Sequence, residues 1–322
     1  MFTFNNAKIS GISACVPRNI EKNIITSKEK SYIGVSKRFF DDKGLINTSD
    51  LCLVSAKKII ETLNWKPSEI KFLLFVSQTR DFIFPSTACI LQNKLKLKKD
   101  IIAYDIPLGC SGFIYGLFNS FSLAEKIKGK GLLLLGDMSS KFIDKNDKQN
   151  IILFGDAGSA IGIDYSKKKT KSFFSFGTDG SGSDYIKYKS DQFKKISNSS
   201  FTMKGGNVFH YMVKKIPSEI IDLKKKSKLK IKQIDYFVFH QASKFLIEKI
   251  SEKLNIDKNK ILLSLKDFGN TNSASIPVTL LNSRKKIKKN SKLICSGFGV
   301  GLSWGNVILD IKNIKFTKLF KI

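Results

Sequence analysis

Short runs of the chain are apolar almost throughout: KFLLFVS (71 to 77), IIAYDI (101 to 106), GLLLLGD (131 to 137), DYFVFH (235 to 240) and KLICSGF (292 to 298). Runs of this length and character predict strands buried on both faces. Between them lie stretches in which apolar residues recur every three or four positions: SDLCLVSAKKIIETL (49 to 63), CSGFIYGLFNSFSLAEKI (110 to 127) and SKFLIEKISEKL (243 to 254). That period predicts amphipathic helices. Strand and helix alternate along nearly the whole chain, which argues for a layered α/β protein with mainly buried strands.

The pattern repeats. SEIKFLLFVSQT (68 to 79) lies over KQIDYFVFHQAS (232 to 243), and KLKLKKDII (94 to 102) over KLNIDKNKI (253 to 261). Gly109-Cys110 then stands where Gly269-Asn270 stands in the second copy, each at a helix start, and KGLLLLGD corresponds to SKLICSGF. The reading is two duplicated α/β halves, 1–168 and 169–322, the first carrying the cysteine and the second the histidine and asparagine. If they pack about a pseudo-twofold axis, the strand ends bearing Cys110, His240 and Asn270 converge at the interface between the halves, where ligand pockets prefer to lie.

A chain of 322 residues can bury a large core. The first twenty residues lack a basic start with a long apolar core, and no stretch approaches the roughly 18 apolar residues of a membrane span. The expectation is a cytoplasmic protein with no membrane partner. Five cysteines, with no C-x-x-C pair, suit neither a disulfide framework nor a zinc site, and no other metal-ligand cluster stands out. The net charge of +29 is spread through every element, mostly as lysine, which does not make a specific nucleic-acid reader. Such a surface does suit an acidic partner such as an acyl carrier protein.

Cys110, in DIPLGCSGF, follows a strand and opens a long apolar helix. A helix N-terminus should lower the thiol pKa, and Gly109 and Gly112 permit a tight turn and close approach of a thioester. Position alone fits a buried structural cysteine equally well. His240, in FHQAS, ends a buried strand, where its ring nitrogens need partners. His210, in NVFHYMVKK, reads as a helix-face residue, and Asn270, by residue type alone, as a loop or helix-cap asparagine. GFGVGLSWG (297 to 305) lacks the G-K-[ST] ending of a phosphate loop and reads as a turn aiming N–H groups into a pocket, while Asp156 in FGDAGSA reads as structural.

Seven segments in order, FPSTACILQNKL (84 to 95), DIPLGCSGFIYGL (105 to 117), ILFGDAGSAIG (152 to 162), GSGSDYI (180 to 186), FHQAS (239 to 243), FGNTNSASIP (268 to 277) and GFGVGLSWG, closely resemble the β-ketoacyl-(acyl-carrier-protein) synthase III family. The resemblance implies the thiolase fold, a five-layered α-β-α-β-α arrangement, and no cofactor or metal. It implies an acyltransferase in which Cys110 accepts an acyl group from an acyl-ACP or acyl-CoA thioester. A malonyl thioester, malonyl-ACP, then loses carbon dioxide and condenses with it. In this scheme His240 and Asn270 hold the malonyl carbonyl, and the backbone N–H groups of Cys110 and Gly301 form the oxyanion hole. Phe84, Phe209 and Ser243 are implied at the substrate pocket, Phe84 by reaching into the partner of a homodimer that pairs through IIAYDI.

The chain departs from the resemblance at several positions. Where the family holds the adenine end of coenzyme A, the residues here are Lys28, Tyr32 and Lys148. The HQAN asparagine is Ser243, the basic residue two places on is Phe245, and the middle glycine of the late turn is Val300. These departures favour carrier-delivered acyl groups and a specialised synthase. Competing readings are transfer from Cys110 to an amine, alcohol or water, which would leave His240 and Asn270 without a task, and a non-catalytic carrier-binding subunit, which would not need Cys110. A hydroxymethylglutaryl-type synthase would need a further glutamate that the matched segments lack.

Overall fold

The computed structural model describes residues 1–24, 26–144, 146–189 and 200–322. Two mixed sheets carry the fold. One has six strands in the spatial order Lys315–Lys321, Ala7–Val16, Ala157–Tyr165, Lys130–Asp137, Ile70–Val76 and Ile102–Ile106. The other has five, in the order Phe2–Phe4, Ser172–Thr178, Ser303–Lys312, Asn290–Gly299 and Tyr236–Phe239. Ile70–Val76 runs parallel to both its neighbours, and Tyr236–Phe239 runs parallel to Asn290–Gly299.

The near-continuous apolar character of the central strands follows from burial on both sides, whereas Ile102–Ile106, expected to be buried on both faces, is a partly exposed edge strand. In Ile70–Val76, Phe72, Leu74 and Val76 face the centre of the molecule, while Leu73 and Phe75 face outward into a second cluster. Helices Thr48–Leu63 and Thr87–Lys94 cover that outer face, Gly112–Ile127 and Ser275–Asn282 fill the space between the sheets, and Gly205–Lys226 and Lys244–Lys253 cover the far face of the second sheet. The result is five layers, α-β-α-β-α. Helix ends obey local chemistry. Asp50 Oδ2 accepts the Asn47 N–H at 3.0 Å where Thr48–Leu63 begins, and Asn64, at φ 53°, ends it in the left-handed conformation.

The chain passes from the six-stranded to the five-stranded sheet between Tyr165 and Ser172, the stretch containing the expected boundary at 168. The terminal strands cross between the two sheets. Phe2–Phe4 pairs with Ser172–Thr178 in the second sheet, and Lys315–Lys321 pairs with Ala7–Val16 in the first. Aromatic packing explains the first crossing: Phe4 meets Phe118, Phe121 and Phe174 edge-on, with centroids 5.4 to 5.9 Å apart. Each sheet therefore takes in a strand from the opposite end of the chain. Among the described residues, no helix is long and apolar enough to cross a membrane.

Candidate active site

Strand Ile102–Ile106 leads through Pro107 to a turn, closed by the Gly112 N–H on the Gly109 carbonyl at 2.8 Å, that presents Cys110. The helix begins at Gly112, so Cys110 precedes its first turn and faces the late hairpin that joins Asn290–Gly299 to Ser303–Lys312. A Cβ on Gly299 would lie 2.6 Å from Cys110 Cβ and 2.8 Å from Sγ, so only a glycine fits against the thiol. Burial decides the state of the sulfur. It pushes the thiol up to about 11, against backbone N–H groups of Val300 and of Cys110 itself and with the help of the Asp137 charge. The position before a helix predicts a lowered thiol, whereas burial raises this one. The backbone N–H that bears on the sulfur from this hairpin is that of Val300, the neighbour of Gly301.

His240 follows Tyr236–Phe239, where burial is complete; its Nδ1 lies 2.7 Å from Ser275 Oγ, and its ring meets Phe298 edge-on at 5.9 Å. Burial pushes its pKa down to about 3, with the backbone of Asn272 opposing, so the imidazole is neutral over the whole working range. Asn270 sits after Gly269, whose φ of 67° and close approach to the Leu153 carbonyl exclude a side chain. Its backbone is tied to the other half: its N–H donates to the Leu153 carbonyl at 2.8 Å, and its carbonyl accepts from Gly155 at 3.0 Å. Asn270 Oδ1 accepts the Asn272 N–H at 2.9 Å, which commits its oxygen and leaves its NH2 to donate.

Asn272 escaped the sequence reading. Its Nδ2 donates to Ser139 Oγ at 2.9 Å, which turns Oδ1 toward Cys110, whose Sγ lies 3.8 Å away. Nothing in the residue type distinguishes it from Asn270; only the fold decides which asparagine meets the sulfur.

Cys110, His240, Asn270 and Asn272 line one cavity of about 830 Å³. Phe209 and Ser243 line it too, while Ser243 also caps helix Lys244–Lys253 by accepting the Leu246 N–H at 3.3 Å. Phe84 does not. It is 82% exposed, beside exposed Phe82 and Ile83, and stands away from the cavity of its own chain. His210 is exposed on helix Gly205–Lys226, and Asp156 holds the N–H groups of Asp41 and Ser140 at 3.0 and 3.1 Å.

Phe245 stacks on cavity-lining Phe209 at 5.1 Å and 12°, and Tyr32 packs on Phe245 at 4.8 Å. Lys148 lines a separate depression of about 470 Å³ with Glu21, Glu29 and Asp42. The Lys28 side chain lies outside the described residues. Among the described residues, no group of three or more His, Cys, Asp or Glu side chains is placed to hold a metal ion.

The chain matches the family described as 3-oxoacyl-(acyl-carrier-protein) synthase III over residues 104–182 and its C-terminal counterpart over residues 224–311. It is 31% identical over 316 residues to a β-ketoacyl-(acyl-carrier-protein) synthase III of Coxiella burnetii, covering 95% of this chain and 99% of the relative. A protein of the same name from Clostridium tetani is 34% identical over 293 residues, covering 85% and 87%. The crystal structure of a 3-oxoacyl-(acyl-carrier-protein) synthase from Burkholderia xenovorans superposes with a TM-score of 0.94 at 29% identity, covering 100% of this chain and 98% of that one.

Proposed function

From the premise that this chain belongs to the 3-oxoacyl-(acyl-carrier-protein) synthase III family, with its thiolase fold, we propose how its own residues carry the family reaction. It is an acyltransferase that condenses an acyl group with malonyl-ACP. In our reading Cys110 attacks the acyl thioester; the sulfur–carbonyl bond forms, the carrier's sulfur departs, and the thiol proton leaves with it. The N–H groups of Cys110 and Val300 hold the oxyanion. The malonyl thioester then binds with its carbonyl between His240 and Asn270. Loss of carbon dioxide leaves an enolate, whose carbon attacks the acyl group and expels Cys110 as a thiolate, which takes up a proton from solvent to restore the thiol. Neutral donors suit this step, because negative charge develops on the carbonyl oxygen as the carboxylate departs.

The observation that supports this most is the convergence of Cys110, His240 and the donor side of Asn270 on one buried cavity. We further propose that the primer arrives on an acyl carrier protein. Tyr32 is already occupied by Phe245, and Lys148 stands among three carboxylates that would repel a nucleotide phosphate. A homodimer through Ile102–Ile106 is supported by that strand's place at the sheet edge, with Ile102 42% exposed. The exposed Phe84 would then reach the partner's cavity. The free cysteines suit the cytoplasm, and the repeated strand order suits two duplicated halves exchanging their terminal strands.

Intact-protein mass spectrometry with acyl-CoA and acyl-carrier thioesters, followed by a malonyl-carrier chase, tests the scheme. Loading absent from Cys110→Ala and discharged with carbon dioxide release supports it. Discharge without malonate would favour transfer to another acceptor, and no loading by any donor would overturn it.

A further inference from the structure

Asp137, the last residue of strand Lys130–Asp137, is fully buried, and among the described residues no cation forms an ion pair with it. The reaction as described does not use it. A buried, unpaired carboxylate is costly and calls for a reason. Its two oxygens face different halves. Oδ1 accepts the Gln78 N–H at 2.7 Å, with Ser77 Oγ and the Thr79 N–H each at 3.3 Å. Oδ2 accepts Ser273 Oγ at 2.6 Å and the Ser273 N–H at 3.1 Å.

Each grip acts one step from the reacting groups. Gln78 packs so closely on Gly109, the residue before the nucleophile, that a Cβ there would fall 2.2 Å from Gln78 Oε1. Ser273 follows Asn272, whose N–H fixes Asn270 and whose Oδ1 faces Cys110 Sγ. We propose that Asp137 is a positioning residue of the condensing site, a carboxylate that clamps the 270–273 loop of one half to the nucleophile-bearing half and places a negative charge behind the Cys110 sulfur.

The titratable groups facing this charge are Cys110 and, on helix Thr48–Leu63, Cys52; Asp81 also acts on Cys52. The 77–79 turn and the 270–273 loop bring only neutral donors. Burial pushes Asp137 up to about 6 against those donors, so the clamp ionises within an accessible pH range. A step that needs the carboxylate must speed up as pH rises through about 6, and His240, held near 3, contributes no limb there.

The test compares wild type, Asp137→Asn and Ser273→Ala in the full-length chain. It measures melting temperature, condensation kcat and KM against pH, and iodoacetamide alkylation of Cys110 against pH. For Asp137→Asn the expected result is a kcat at least about tenfold lower with KM little changed, loss of the acid limb near 6, and an alkylation profile displaced toward lower pH because a negative charge has gone. Ser273→Ala keeps the carboxylate but removes a hydrogen bond that favours its ionised form, so its acid limb persists, displaced to higher pH, and above that limb its alkylation profile does not move. The idea is overturned by a folded Asp137→Asn with wild-type kcat and profile, or by Ser273→Ala shifting the alkylation profile as far. Should Asp137→Asn fail to fold, the wild-type limb decides, its absence being fatal. The kinetic part rests on the condensing reading above. If wild type fails to condense, that reading falls, while the alkylation profiles still report the charge.

Discussion

Burial of Cys110 makes a quantitative prediction about its chemistry. With the thiol at about 11, reaching the thiolate at pH 7.5 costs about 5 kcal/mol, a population of roughly one molecule in 3,000. A thiol at the ordinary value of 9.0 would hold about 3% thiolate at that pH, about a hundredfold more. A simple electrophile that brings no hydrogen-bonding partner must therefore wait for the rare thiolate. Alkylation of Cys110 by iodoacetamide, followed by peptide mapping to separate it from exposed Cys89, should rise about tenfold per pH unit from 7 to 9 without levelling. Acyl loading should vary much less over the same range. The departing thiol removes the proton, and the N–H groups of Cys110 and Val300 stabilise the oxyanion whatever the bulk pH. A plateau in the alkylation rate at or below pH 9 would refute the reasoning, since it would mean that the turn and the Val300 N–H outweigh desolvation.

Gly299→Ala forces a methyl against Cys110 and should lower stability by about 1–3 kcal/mol while abolishing loading; calorimetry and intact mass showing neither change would contradict the packing described. His240→Ala should still load at Cys110 yet lose about 10²- to 10³-fold in malonyl-dependent discharge, and wild-type discharge would remove His240 from the condensation step. The acid limb near 6 expected of Asp137 should survive in His240→Ala, because His240 sits near 3 and contributes none; a limb that disappears in His240→Ala would show the ring to be solvated. Glu21→Ala strips Arg38, whose side chain is 1% exposed, of its 2.6 Å partner, and should cost about 1–3 kcal/mol in urea unfolding; an unchanged midpoint would show that Phe40 and the Phe154 carbonyl suffice.

Periodicity exposed the strands and helices because each is buried in a way that leaves a period: apolar throughout for Ile70–Val76, every third or fourth position for Thr48–Leu63. The repeat between halves located Cys110, His240 and Asn270 near strand ends, and their segments carried the family resemblance. What stayed hidden depends on geometry that residue identity does not encode. That the Val300 N–H bears on the sulfur follows from the path of the hairpin through Gly299 and Gly301, at φ 156° and 136°. Which asparagine meets Cys110 follows from Asn272 standing at φ 45° and tethered to Ser139. The terminal strands look local in sequence, yet each joins the sheet formed mainly by the other end of the chain.

These particulars share one electrostatic logic. Cys110 and His240 are both held in their uncharged forms by burial, and Asn270 and Asn272 carry no charge. A fixed cation beside the malonyl group would bind the carboxylate that must be lost as well as the enolate that must form, and so would favour the ground state together with the transition state. Neutral donors bind the carbonyl weakly before decarboxylation and strongly as charge reaches its oxygen, which is the differential binding that raises turnover. In the proposed scheme the burial that makes the thiol reluctant to ionise would also shield an acyl group on it: Cys110 is 7% exposed and roofed by Gly299, leaving little room for a hydrolytic water. Asp137, a buried carboxylate outside the cavity lining, lies behind the sulfur and is held by neutral donors from the 77–79 turn and the 270–273 loop, where it can fix their relative position without meeting the substrate.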